Sequence, residues 1–125
     1  MATRTALEVV RAVDALLPNQ YDDREKLRWL TRAEGFVTEE ILRRCEGGED
    51  LVPPEELQGG EELRVLPPYD ELYRFYLERC IHYANGDMDL CNNAAAAWNS
   101  AFSTFRDHWF RTHTPCAGAA ALRFC

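Results

Sequence analysis

Wound as a helix, residues 5–17 bring Leu7, Val10, Val13 or Ala12, and Leu17 onto one side with Glu8, Arg11 and Asp14 between them, the pattern of an amphipathic helix laid on a core. Pro18-Asn19 stops it, because proline cannot continue the hydrogen-bond ladder and asparagine favours turns. Asp22 or Asp23 can then cap a longer helix reaching about Cys45, in which Leu27, Leu30, Ala33 or Glu34, Val37 and Ile41 recur at steps of three and four. Gly35 weakens its middle by about 1 kcal/mol relative to alanine. Gly47-Gly48 ends it.

From 46 to 68 the pattern is lost. Gly47-Gly48, Pro53-Pro54, Gly59-Gly60 and Pro67-Pro68 are paired breakers that exclude a helix of any length. They leave a loop of about twenty residues, with room for one short extended piece at 63–66, and loops that long in a compact domain are either functional or disordered. Periodicity returns near Tyr69-Asp70. In "YDELYRFYLERCIHYA" the stripe Leu72, Tyr76, Cys80, Tyr83 is flanked by Tyr73, Leu77, Ile81 and Ala84, so apolar side chains cover most of a helix that belongs at the centre of a bundle. "NGD" at 85–87 gives a tight connection, Gly86 taking a positive φ and Asp87 capping the next helix. The third and fourth helices should therefore form an antiparallel hairpin.

The fourth helix should run from about Met88 to Arg111, with Cys91, Ala95, Trp98, Phe102, Phe105 and Trp109 as its packing stripe. It carries no charged residue from Leu90 to Phe105. Its remaining side, Asn92, Asn93, Asn99, Ser100 and Ser103, is polar and uncharged, a surface that a neighbour can cover without stripping water from a charge. The tail from Thr112, "THTPCAGAAALRFC", has little amphipathic pattern and reads as mobile, with residues 116–125 set outside the domain as a C-terminal tail. The expected fold is all-α: one small bundle of about four helices in a single domain of residues 1–115.

Charge changes this picture at one place. The chain has 21 acidic and 14 basic residues among its 125. Seven of the acidic ones (Glu46, Glu49, Asp50, Glu55, Glu56, Glu61, Glu62) fall in residues 46–62, which hold no basic residue. The rest of the chain is neutral, with 14 against 14. A basic footprint for gripping nucleic acid is missing, and the nearest thing to a helix-turn-helix segment, "REKLRWLTRAEGF", is mixed in charge. No apolar run approaches the ~20 residues that span a bilayer, and the N-terminus lacks a secretory pattern. The reading is an intracellular, soluble product. Cys45, Cys80, Cys91, Cys116 and Cys125 form an odd set without CxxC spacing, so they are expected as thiols, mostly buried.

Catalytic chemistry is not signalled. His82, His108 and His113 have no HExxH spacing, Cys80 and His82 are two apart and cannot face each other on a helix, "DMD" at 87–89 lacks the rest of a calcium loop, and no phosphate-cradling glycine loop occurs. No enzyme activity, metal or cofactor is expected.

Residues 67–115, preceded by "VVRAVDALLPNQYDDREKLRWLTRAEGFVTEEIL" at 9–42, show a PYDELY helix start, a Y-x-N-G turn, an N-N-A-A helix core and a closing R-T-H-x-P in that order. In this the chain resembles the small head-to-tail connector (adaptor) proteins of tailed bacteriophages and prophages. The resemblance implies a non-enzymatic virion protein at the head-to-tail junction, assembled in the host cytoplasm. Its copies form a ring, commonly twelve-fold, that binds the portal, extends the DNA channel and docks a stopper or tail-completion protein. DNA passes through without sequence-specific binding, and no membrane is involved. On that picture Asn92, Asn93, Asn99, Ser100 and Ser103 are a subunit interface. The resemblance assigns the acidic loop no role; its charge suggests that Glu49, Asp50, Glu55, Glu56, Glu61 and Glu62 would face the channel, where like charge repels DNA. The tail, equally without a role from the resemblance, would order on the portal with Leu122 and Phe124 as apolar anchors. The acidic loop and the "CAGAAALRFC" extension match nothing in the family pattern. The alternative reading is a cytoplasmic helical binding module or assembly chaperone that stays out of the virion.

Overall fold

The computed structural model describes residues 4–116. It is all-helical, with four α-helices: α1 (Ala6–Leu16), α2 (Asp23–Glu40), α3 (Glu71–Asn85) and α4 (Met88–Thr112). Each of the first two begins at a side-chain cap. Thr5 and Glu8 form a reciprocal capping box, Thr5 Oγ1 accepting from the Glu8 amide at 3.2 Å and Glu8 Oε1 from the Thr5 amide at 2.9 Å. Asp22 accepts from the Glu25 amide at 2.8 Å.

α1 buries Ala6, Val9, Val10 and Val13, a face turned from the expected Leu7, Val10, Val13, Leu17 line. Leu7 and Leu17 only flank the core. α2 buries the expected Leu27, Leu30, Ala33, Glu34 and Val37, and adds Lys26 and Thr38. It stops at Glu40, short of the expected end near Cys45. Ile41 leaves helical geometry at φ −125°, and a single 3-10 turn, Leu42–Arg44, comes next. That break carries Ile41, Leu42 and Cys45 all into the interior.

α3 is central, packing against each of the other three helices and most extensively against α4. The predicted hairpin is present. Gly86 caps α3 in the left-handed conformation at φ 80°, and Asp87 accepts from the Leu90 amide to start α4. α4 lays Cys91, Ala94, Trp98 and Phe105 on α3, with Phe102 and Trp109 half-buried at the edges. Ala94 takes the inner place expected for Ala95. The last turn of α3 departs from its stripe: Tyr83 is 69% exposed at the tip of the hairpin, where Met88 and Leu90 also face outward. No helix among the described residues is long and apolar enough to cross a membrane.

The acidic loop is fixed in place. Leu57, Leu63 and Val65 are buried in the same core as the helices. Its carbonyls at Gly59 and Glu61 accept from the Leu7 and Ala6 amides, both at 2.9 Å, which are among the helix-start donors that have no partner within α1. The Leu63 amide donates back to Arg4 at 2.9 Å. Around 63–66 there is no strand, only an isolated bridge pairing Thr5 with Glu62.

Candidate assembly surfaces

What holds the loop is a buried polar cluster. Glu34, 2% exposed on α2, accepts from the hydroxyl of Tyr73 on α3 at 2.5 Å and from the Arg64 amide at 2.9 Å. The Tyr73 oxygen in turn accepts from the Val65 amide at 3.0 Å. Arg64 reaches over the loop, one guanidinium nitrogen donating to Thr38 Oγ1 at 2.6 Å and the other to the Val52 carbonyl at 2.9 Å. The loop amides at Arg64 and Val65, which burial would otherwise leave dry, thus find partners on α2 and α3. Burial raises the Glu34 carboxyl pKa above the usual range, against the lowering pull of Tyr73 and Arg64. Burial and the adjacent Glu34 also push the Tyr73 phenol up.

The seven carboxylates of 46–62 divide into two groups. Glu61 accepts from the Gln58 and Gly59 amides at 2.8–2.9 Å, and these backbone bonds hold its pKa low. Glu49 is likewise lowered by backbone hydrogen bonds, its own amide and that of Gly47. Glu56 pairs with Arg24 at 3.7 Å. Three of the six expected channel residues are therefore engaged within the chain. Asp50, Glu55 and Glu62, with Glu46, are exposed and make no ion pair among the described residues. Their arrangement suits an outward contact.

On α4, Asn92, Asn93, Asn99 and Ser100 are all exposed, and Ser103 is half-buried. The strip beside them is equally free of charge and includes the exposed Ala96. Small neutral side chains allow another backbone to approach closely at little desolvation cost. Beyond α4 the chain does not run free at once. The Glu46 amide donates to the Thr114 carbonyl at 2.8 Å and the Cys116 amide to the Arg44 carbonyl at 2.9 Å. The tail expected to be mobile from Thr112 is thus tied down through Cys116, on the segment that leaves the 3-10 turn. Leu122 and Phe124 lie outside the described residues.

The chain matches no protein-family model, no curated protein and no solved structure. Among the described residues no group of three His, Cys, Asp or Glu side chains is placed to hold a metal ion. Two of the histidines stack on aromatic rings, His108 on Tyr69 and His113 on Trp109 at 4.4 and 3.6 Å between centroids. Burial raises the Cys80 thiol pKa to about 11, which leaves it a poor nucleophile at neutral pH.

Two features escaped the sequence reading. One is the Glu34–Tyr73–Arg64 cluster, whose members are 30 and 39 residues apart. The other is a cleft of about 320 Å³ between α2, α3 and the start of α4, which has Arg32 and Arg79 among its walls. The apolar stripe on α3 signalled packing at that place. An arginine three residues from an aromatic on each of two helices was the available sign of an open face.

Proposed function

We propose that this chain is a non-enzymatic structural protein of a tailed-phage particle, forming a ring under the portal that joins head to tail and extends the DNA channel. The ordered series PYDELY, Y-x-N-G, N-N-A-A and R-T-H-x-P supports the reading. The observation that carries it is the outer side of α4, where Asn92, Asn93, Asn99 and Ser100 stand exposed and uncharged. A solvent-facing helix ordinarily carries charges, whereas a repeated subunit contact favours their absence. The ring would dock the portal on one side and a stopper or tail-completion protein on the other. Carboxylates left exposed toward the lumen, Glu62 among them, would repel passing DNA and let it slip.

Mass spectrometry of purified virions tests this directly. The chain should be recovered in stoichiometric amount with the portal. Its absence from particles, with presence in the infected or induced cell, would replace the connector with a cytoplasmic binding module or assembly chaperone.

A further inference from the structure

Most cations of the described chain are matched to a carboxylate: Arg4, Arg11, Arg24, Arg28, Lys26, and further along Arg43, Arg44, Arg74 and Arg106. Arg32, Arg64, Arg79 and Arg111 have no ion pair among the described residues; Arg64 is engaged by Thr38 and the Val52 carbonyl, while Arg32 and Arg79 wall the same cleft. Between them the cleft is lined by Trp29, Tyr76 and Tyr83, with the Arg79 guanidinium 5.6 Å from the centre of the Tyr76 ring. Aromatic rings and arginine together are the side chains that dominate binding energy at protein interfaces. A guanidinium held against a ring is also well suited to receive a carboxylate.

The opposite pattern occurs on the loop. Val52 is 70% exposed, and on either side of it Asp50 and Glu55 are exposed without an ion pair among the described residues. Pro53-Pro54 stiffens the stretch, and Arg64 fixes the Val52 carbonyl at 2.9 Å. These two restraints on the backbone reduce the ordering cost of binding. An apolar residue between two anions faces away from the chain; an apolar cleft between two cations lies open elsewhere.

Their placement decides how they can meet. The loop runs along the side of α2 that carries Leu27, Thr31, Glu34 and Thr38, bonding to Thr31, Glu34 and Thr38. Trp29 and Arg32 project from the other side, about 160° around the helix at 3.6 residues per turn. One copy's loop cannot reach its own cleft. Joining surfaces on opposite sides of one helix gives a head-to-tail contact, which repeats from copy to copy into a ring or an open filament instead of closing as a two-fold dimer.

We propose that residues 50–55 of one copy dock in the Arg32–Arg79 cleft of a second copy, Val52 on the aromatic wall and the Asp50 and Glu55 carboxylates on the two guanidiniums. This deepens the ring reading and rests on it for closure of the ring; it also assigns Asp50 and Glu55 to a subunit contact instead of the channel.

Paired charge reversals test it. Sedimentation velocity of the full chain at low ionic strength should show self-association that added salt weakens. Arg32→Glu with Arg79→Glu should weaken it about tenfold or more, and Asp50→Arg with Glu55→Arg should do the same. An equimolar mixture of the two variants should associate again, because each cleft then meets a loop of opposite charge. If the glutamate pair does not fold by circular dichroism, Arg32→Gln with Arg79→Gln takes its place, with the same loss expected and the mixture control replaced by the loop variant alone. A chain that stays monomeric, association indifferent to either pair, or a mixture that fails to recover overturns the proposal. Presence of the chain in virions is a separate outcome, so the contact can fail while the connector reading stands.

Discussion

Trp98 shows what a single side chain on α4 contributes. It is 7% exposed and sits 5.0 Å from Tyr76, 5.1 Å from Phe102 and 6.5 Å from Phe36 between ring centroids. Trp98→Ala should cost about 3–5 kcal/mol, read as a lowered midpoint in urea denaturation. Its burial was legible from steps of three and four along the helix. The same spacing puts Glu34 on the inner stripe as an alternative to Ala33, yet its role is not legible there, since a carboxylate in a core has meaning only through partners that folding brings in. Because the fold raises its pKa, Glu34 favours the folded state below the ordinary glutamate range, and that contribution is lost as pH rises through the raised value. Glu34→Gln keeps an acceptor and removes the titration. Relative to the wild type, the variant should therefore gain stability as pH rises above the ordinary glutamate range, measured as urea midpoints in acid and at neutral pH. A difference that stays constant with pH would refute the assignment.

Among elements, helices were read from periodicity with their ends displaced by a few residues, while the loop was read only by its breakers. Paired glycines and prolines say that a helix is excluded; they do not say which carbonyls will meet which amides. Packing of Leu57, Leu63 and Val65 depended on contacts with α1 and α2 far away in sequence. The face of α1 turned as well: Ala6 is fully buried, while Leu7 stands at the edge of the core beside Gly59 of the loop. Gly48 shows how tight the loop's entry is. A β-carbon there would stand 2.0 Å from the Leu42 carbonyl oxygen, so backbone must move to admit it. Gly48→Ala should destabilise by about 1–3 kcal/mol, whereas Gly35→Ala, with open space around the new methyl, should be neutral or stabilising; thermal melts of the two variants provide the comparison.

At the scale of the molecule, the proposed assembly would use the side of α4 that folding leaves exposed. Trp98 and Asn99 are neighbours in sequence, one buried and one exposed. Asn99→Lys should leave stability within about 0.5 kcal/mol while impairing ring formation, seen as loss of the assembled species in sedimentation or electron microscopy. Normal assembly would mean that the bare side of α4 meets only solvent.

The amides of Ala6 and Leu7 provide a clock for the loop. Near a helix start such protons ordinarily trade with solvent within moments, but here each is sequestered by a carbonyl that belongs to residues 59–61. Their deuterium uptake should be slow and should accelerate together whenever that lid lifts, even while the interior of α1 stays protected. Two backbone protons at the beginning of the chain thus report, without any label, on the opening of a segment more than fifty residues away.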